Sequence, residues 1–213
     1  LLAVLAVLLP LAGTSQATAD VWDDDAGLVF FGRGYSEPTQ YADAFNALEG
    51  RQLTKIAGTS GHVCAIDENG EAVCWGDSGD GRHGTGARDY PPEGPAAVST
   101  SGALAGKTLV DIDAGDAHTC AIDDQGQAYC WGSNEHGQLG RDVGRRSFVP
   151  VRVVQRKLDG AGFVDVTAGE DHTCAITGQG DAYCWGRNLA GQLGTGNRRD
   201  AVRPVRVKPG DVG

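Results

Sequence analysis

The sequence lacks several features on which common protein classes depend. After residue 13 it has no apolar run approaching the ~20 residues that cross a bilayer as a helix. It contains no G-x-S-x-G, H-E-x-x-H or P-loop motif, so we predict no catalytic residue, no cofactor and no metal site. Basic residues are in deficit, with 18 Lys and Arg against 28 Asp and Glu, which argues against nucleic acid as the main partner because phosphate binding needs a basic face.

Glycine is abundant instead, with 33 Gly and 8 Pro among 213 residues. So many turn-forming residues argue against a coiled coil or a helical bundle. Hydrophobic residues still make up 40% of the chain, which is enough apolar surface for a core. We therefore expect a folded, turn-rich protein.

Methionine is absent, and the first residues resemble a secretory signal peptide that lacks its beginning. Leu1 to Gly13 is apolar with one interruption at Pro10, and Ala17-Thr18-Ala19 forms a small-x-small cleavage site before Asp20. We predict a truncated signal peptide over residues 1–19, and export from the cell with no membrane span after cleavage. Residues 20–47 are predicted to be an acidic segment with a degenerate partial repeat.

The six cysteines support export independently. They form three sets of two that lie ten residues apart, and none is left over. That spacing does not match the C-x₂₋₄-C pattern of zinc sites, whereas regular pairs in an exported chain favour disulfides. The predicted bridges are Cys64–Cys74, Cys120–Cys130 and Cys174–Cys184.

The cysteines belong to one unit that is written three times with a period of about 55 residues. Each copy has a strand-like segment, a histidine, a Cys-Ala-Ile run, a turn and a Cys-Trp-Gly run, followed by glycines. We place the copies at 48–102, 103–156 and 157–213. Short β-rich runs separated by Gly-rich turns, about four to a unit, indicate propeller blades, an all-β fold.

The turn between the two cysteines of each copy can be predicted in detail. If Cys120 lies opposite Cys130, the hairpin loop is Asp124-Gln125-Gly126, and such three-residue loops prefer glycine at the third place. Gly70 and Gly180 stand at the same offset in the other copies. Directly opposed cysteines would have Cα atoms ~4.5–5.5 Å apart, which a disulfide accepts.

The third copy carries the clearest family resemblance. Its run from Ala168 to Gly196, AGEDHTCAI followed by YCWGRN and GQLGTG, resembles the regulator of chromosome condensation repeat, in an exported bacterial form with paired cysteines. The resemblance extends over roughly residues 48–207 and implies a propeller of about seven blades, so three copies and a part predict an incomplete ring. The first copy departs from the pattern, because Gly58 sits one place early and Arg82-His83 replaces Gln-Leu. We expect that copy to be distorted.

Two repeated residue types could be functional or structural. The histidines at 62, 118 and 172 could bind a metal, but a structural role, such as a hydrogen bond to a turn, is the better interpretation because ligands would have to converge from different blades. The tryptophans at 75, 131 and 185 could form a binding ring, but wedges packed between blades are the better interpretation.

Charge and loop variation together suggest where a partner binds. Residues 1–140 contain 6 basic and 20 acidic side chains, whereas residues 141–213 contain 12 and 8. The loops that differ most between copies are 86–95, 141–149 and 197–203, and the last two contain the candidate binding residues Arg141, Arg145, Arg146, Arg198 and Arg199. Solvated loop charge is the alternative interpretation.

We therefore predict a non-catalytic, exported repeat protein that binds an acidic protein or a surface polymer through these loops. The resemblance implies two alternatives. One is guanine-nucleotide exchange on a small GTPase, which the predicted export argues against. The other is a secreted inhibitor of β-lactamases, which needs a nearly complete ring face.

Overall fold

Three antiparallel sheets of four strands each make up the structure, a computed structural model that describes residues 48, 50–88, 94–155, 158 and 162–208. Each sheet is a meander in chain order, and we name the sheets blades 1, 2 and 3. Blade 1 contains β1 (Leu53–Gly58), β2 (His62–Asp67), β3 (Ala72–Gly76) and β4 (Ala96–Ala97). Blade 2 contains β5 (Leu109–Ala114), β6 (His118–Asp123), β7 (Ala128–Ser133) and β8 (Arg146–Arg152). Blade 3 contains β9 (Phe163–Ala168), β10 (His172–Thr177), β11 (Ala182–Gly186) and β12 (Ala201–Arg206).

The predicted all-β fold with propeller-type blades is confirmed. The described residues contain no α-helix, only two short 3-10 turns at Gly79–Gly81 and Gly102–Leu104, and the three blades do not close into a ring. The described part of the chain also contains no helix long and apolar enough to cross a membrane. The predicted signal peptide at 1–19 and the partial repeat at 20–47 lie outside the described residues.

The hairpins and disulfides are as predicted. Cys120 lies directly opposite Cys130, and the loop between their strands ends in Gly126 with a φ of +76°, the left-handed conformation that favours glycine. The bridges are Cys64–Cys74, Cys120–Cys130 and Cys174–Cys184, with Cα separations of 4.1, 4.1 and 4.0 Å, slightly shorter than expected. Each disulfide therefore joins the two central strands of its own blade.

A buried aspartate fixes the hairpin in blades 1 and 2. The Oδ1 atom of Asp123 accepts hydrogen bonds from the backbone N–H groups of Gln125 and Gln127, at 3.0 and 2.8 Å. Asp67 does the same in blade 1, and Arg51 pairs with its other oxygen at 2.7 Å. Burial alone would raise the pKa of Asp123, but the hydrogen bonds that its carboxylate accepts outweigh burial and lower the pKa. The carboxylate is thus a structural part of the loop.

Neighbouring blades are joined by a hydrogen-bond chain that recurs at both seams, which we name seam 1–2 and seam 2–3. In seam 1–2, His62 Nε2 donates to the hydroxyl of Thr119 at 2.8 Å, and that hydroxyl donates to the Arg82 carbonyl at 2.9 Å. The indole N–H of Trp131 donates to the same carbonyl at 2.9 Å. Each seam thus joins a histidine and a carbonyl of one blade to a threonine and a tryptophan of the next.

Seam 2–3 repeats these contacts with different residues. His118 Nε2 lies 2.9 Å from the Thr173 hydroxyl, which donates to the Gln138 carbonyl at 3.0 Å, and the Trp185 indole donates to that carbonyl at 2.8 Å. A structural role for the histidines at 62 and 118 therefore holds, but the partner is a threonine of the next blade and not a turn. Trp131 and Trp185 are fully buried between blades, which confirms the wedge interpretation for those two.

The hydrogen bonds also fix the protonation of these histidines. Because each threonine hydroxyl has one proton and donates it to a carbonyl, the histidine must be the donor through Nε2. Burial lowers the pKa of His62 to about 3 and that of His118 to about 3, so both rings are neutral at pH 7. A neutral ring with its proton on Nε2 fits both seams.

The outer face of blade 3 shows what a seam normally covers. Ile66 and Ile122 are fully buried beneath the following blade, whereas Ile176 at the same position is 41% exposed. The hairpin glycines agree, since a side chain at Gly70 or Gly126 would collide with the next blade, whereas one at Gly180 would meet no described residue within 4 Å. Blade packing therefore provides the burial of each central strand.

Candidate binding surface

The loops that follow the third strands of blades 2 and 3 are held by one buried asparagine each. The Asn134 amide donates to the carbonyls of Arg141 and Gly144, at 3.1 and 2.8 Å, and its oxygen accepts from the backbone N–H of Leu139 at 3.0 Å. These bonds close the loop over residues 134–145. A ligand would therefore meet a loop whose backbone is already fixed.

Asn188 plays the same part in blade 3. Its amide donates to the carbonyls of Asn197 and Arg199, both at 3.0 Å, and its oxygen accepts from the Leu193 N–H at 3.0 Å. In the first copy the equivalent position is Ser78, and the loop that follows it is described only in part. The two asparagine-held loops overlap two of the three loops predicted to bind a partner, 141–149 and 197–203.

Packing of blade 3 on blade 2 brings these two loops together. A side chain at Gly137 would collide with the backbone of Val202, and His136 Nδ1 lies 3.0 Å from the Asp200 carboxylate. A groove of about 400 Å³ runs between the loops. It is lined by Asp142, Ala201, Val202, Arg203 and Val205, and we name it the rim groove.

The predicted binding arginines fall into two groups. Two of them have acidic partners, since Arg145 pairs with Glu135 at 2.6 Å and Arg146 pairs with Asp80 of blade 1 at 2.9 Å. Within the described residues, Arg198 and Arg199 are exposed and form no ion pair, although they lie in the loop beside the rim groove. Their charges are therefore available to an acidic partner.

Arg141, the fifth predicted arginine, contacts the protein backbone, since its guanidinium donates a hydrogen bond to the Arg152 carbonyl at 3.3 Å. Together with Arg145 and Arg146, it contributes less free charge than the sequence suggests. The groove also contains residues that the binding prediction omitted, Val202 and Arg203, of which Val202 is 45% exposed. An apolar strip beside unpaired arginines favours binding to protein.

The remaining site predictions can be located as well. In the loop of the first copy, the Arg88 guanidinium lies 5.9 Å from the centre of the Phe148 ring in blade 2, and residues 89–93 are outside the described residues. Within the described ranges, no three His, Cys, Asp or Glu side chains converge on a point where a metal ion could bind.

Comparison with known proteins identifies the repeat. One family model of the regulator of chromosome condensation (RCC1) repeat matches residues 125–176 and 179–211, and a second matches 53–82, 109–138 and 163–192. The ultraviolet-B receptor UVR8 of Arabidopsis thaliana is 32% identical over 212 residues, which are 94% of this chain and 46% of the receptor. The E3 ubiquitin-protein ligase HERC2 of Homo sapiens is 33% identical over 181 residues, 83% of this chain but 4% of the ligase.

Solved structures show the same fold. Human WBSCR16 matches with a TM-score of 0.66 at 22% identity, over 76% of this chain and 41% of that one. Prp20p of Saccharomyces cerevisiae matches with a TM-score of 0.64 at 22% identity, over 76% and 39%. The chain spans less than half the length of each of these four proteins. From the matched repeats and the shared blade architecture, the chain belongs to the regulator of chromosome condensation repeat family.

Proposed function

We propose that this chain is a non-catalytic interaction module that binds an acidic protein surface at the rim groove. The observation that carries the proposal is that exposed Val202 in β12 follows closely after Arg198 and Arg199, which form no ion pair within the described chain and lie in the loop that Asn188 holds in place. Fixed loops lose little conformational entropy on binding, and exposed arginines without an internal ion pair can pair with carboxylates of a partner.

Relatives of this chain support a role in protein binding. Prp20p has described binding properties towards Gsp1p and histones, and it has been crystallised in complex with Kap60. UVR8 is a receptor and HERC2 a ubiquitin ligase, so proteins that contain these repeats differ in activity. Guanine-nucleotide exchange and β-lactamase inhibition stay predictions from the family resemblance.

Export from the cell is a second part of the proposal. Three disulfides in the described chain, one in each blade, favour an oxidising compartment such as the periplasm or the extracellular space. A partner met there would be a secreted protein or a polymer of the cell surface. The disulfides support this location without depending on the groove.

The binding proposal can be tested with poly-L-glutamate as the probe. Exposed charge pairs contribute about 0.2–1 kcal/mol each, so the double variant R198S/R199S should bind roughly 2- to 30-fold more weakly, and the affinity of the native chain should fall as salt rises. The control R51S/R206S removes two positive charges from arginines that already have carboxylate partners at the hairpin end.

Calorimetry or fluorescence titration at several salt concentrations gives the comparison. The control variant should bind nearly as well as the native chain, and near-ultraviolet circular dichroism verifies that each variant is folded. Equal losses in the two variants would point to net charge alone and would refute the rim groove as the site.

A further inference from the structure

Seam 1–2 contains a histidine where the other blades have leucine. His83 is 2% exposed, and Leu139 and Leu193 occupy the same repeat position with no exposure at all. In those two blades the leucine is packed as part of the apolar interior. The first copy thus places an ionisable ring where the repeat otherwise uses a hydrocarbon.

This ring is poorly satisfied in its neutral state. Neither nitrogen of His83 forms a hydrogen bond of good geometry within the described chain, although the backbone of Trp75 and Asp77 lies close to the ring. The Nδ1 atoms of His62, whose ring centre lies 6.5 Å away, and of His118 in seam 2–3 also lack a partner there. A buried polar atom without a good partner destabilises the folded state, so leucine would suit this position better at neutral pH. The histidine therefore requires an explanation other than packing.

His83 is next in sequence to the group that holds the seam together. The carbonyl of Arg82 accepts both the Thr119 hydroxyl and the Trp131 indole of blade 2. On the other side, a side chain at Gly84 would lie 2.8 Å from the Trp131 ring, so the segment is packed closely against blade 2. The His83 ring cannot leave the interior unless this segment, and its carbonyl, also move.

The groups around the His83 ring shift its pKa in opposite directions. Burial is the main cause that lowers the pKa of His83 to about 4, and the Arg82 guanidinium adds to it, while the Asp77 carboxylate and the backbone of Trp75 and Asp77 act in the opposite direction. His62 is the ionisable group that faces the ring from β2. From blade 2, Asp116 contacts Arg82 only through its backbone carbonyl, at 2.9 Å.

We propose that His83 makes seam 1–2 acid-sensitive: when the ring takes up a proton it moves out to water, the Arg82 carbonyl withdraws from Thr119 and Trp131, and blade 1 separates from blade 2. Seam 2–3 responds less steeply to acid, because it buries His118 but has Leu139, which cannot be protonated, in place of a second histidine. The device is independent of the rim groove, which lies between blades 2 and 3. A fall in pH would thus loosen seam 1–2 before seam 2–3, beside which the binding surface lies.

The direction of the pH effect on seam 1–2 follows from proton linkage. The folded ring has a pKa of about 4 against 6.5 for a free histidine, so the open state binds the proton more tightly. Stability of the closed seam is fully present above pH 6.5 and is lost as the pH falls towards 4. One proton changes the opening equilibrium by tenfold per pH unit within that window.

Hydrogen exchange of the indole N–H groups tests the proposal in the full chain. Protection of the Trp131 indole reports seam 1–2, and that of the Trp185 indole reports seam 2–3 in the same sample. After correction for the intrinsic exchange rate, Trp131 protection should fall about tenfold per pH unit relative to Trp185 between pH 6 and pH 4.5. The seam histidines His62 and His118 occur once in each seam, so their contributions largely cancel in this ratio.

Two substitutions make the test decisive. His83→Leu installs the residue of the other blades and should make the two indoles respond alike. Leu139→His should give Trp185 the same acid response that Trp131 keeps through His83. His83→Gln, which stays polar but cannot be charged, should also abolish the response if the leucine variant folds poorly. A native chain with parallel pH profiles for the two indoles, or a leucine variant that keeps the difference, would overturn the proposal.

Discussion

Seam 1–2 and seam 2–3 use the same hydrogen bonds but bury different residues beneath them. A carbonyl accepts a threonine hydroxyl and a tryptophan indole in both, from Arg82 in one and from Gln138 in the other. Next to that carbonyl lies His83 in the first seam and Leu139 in the second. The comparison teaches that the hydrogen bonds set how blades align, while the adjacent side chain sets how firmly and at what pH they hold.

The loops that follow the third strands also differ between blades 1 and 2. Blade 2 has Asn134 at the start of its loop and a seven-residue outer strand, whereas blade 1 has Ser78 and an outer strand of only two residues, Ala96–Ala97. At one repeat position, Asp80 of blade 1 pairs with Arg146 across seam 1–2, and His136 of blade 2 contacts Asp200 across seam 2–3. The first copy thus differs from the second in its loop and in the length of its outer strand.

The largest effect expected from this comparison is the loss of a seam tryptophan. Trp185→Ala should lower the free energy of unfolding by about 3–5 kcal/mol, because a fully buried indole that stacks on Phe163 at 6.0 Å would leave a cavity. Trp131→Ala should cost less, since the cavity would border the unsatisfied His83 and could admit water to it. Urea denaturation without reductant, which keeps the disulfides intact, measures both.

If Trp185→Ala and Trp131→Ala lower the free energy of unfolding by similar amounts, the two seams do not differ in packing in this way. A larger loss at Trp131 would reverse it and place the tighter packing in seam 1–2. The slope of unfolding free energy against urea should be the same in both variants, which confirms that the folded states expose similar surface.

A smaller and symmetrical effect is expected from the threonines. Thr119→Val and Thr173→Val should each cost about 1–3 kcal/mol, because each leaves a buried histidine N–H without an acceptor. Valine fits this strand position, as Val63 shows in the first copy. Thermal or urea unfolding gives the two values, and the matching Thr→Ser variants, which keep the hydroxyl, should stay close to the native chain.

Equality of the two valine variants is the informative result here. The hydrogen-bond geometry is nearly the same in both seams, so costs that differ by more than about 0.5 kcal/mol would show that the neighbours of the threonine matter as much as its hydrogen bonds. In that event His83 would influence the hydrogen-bond chain of seam 1–2 directly.

Contacts within one copy could be predicted from the sequence, and contacts between copies could not. The spacing of Cys120 and Cys130 with a glycine at 126 is local information, and it predicted strand register, loop and bridge together. The partner of His62 lies 57 residues away in the next blade, so no local pattern identifies it. A signal was nevertheless present. In the second and third copies, each of which follows a copy with a histidine, threonine precedes the first cysteine. In the first copy, valine stands at that position.

The rim groove could be predicted only in part, because it also depends on contacts between copies. Sequence variation selected the two loops and their arginines, but Val202 and Arg203 acquire their position only when blade 3 packs on blade 2. The loss of free charge at Arg145 and Arg146 was equally hidden, since Glu135 meets Arg145 only when the loop closes and Asp80 comes from blade 1. Charge counting in the sequence treats every arginine as free.

The smallest effect concerns the loops and compares copies directly. Asn134→Ser gives blade 2 the residue of blade 1, and it should cost about 1 kcal/mol of global stability, because the loop carbonyls and the Leu139 N–H can be hydrated once the side chain is shortened. Locally the effect should be larger, with faster amide exchange at Leu139 and unchanged exchange in β10. The reverse change, Ser78→Asn, should slow exchange in the loop of blade 1 if an asparagine is sufficient to close it. Should Ser78→Asn have no effect while Asn134→Ser loosens its loop, the difference between the blades would lie in the loop sequences themselves and not in this one residue.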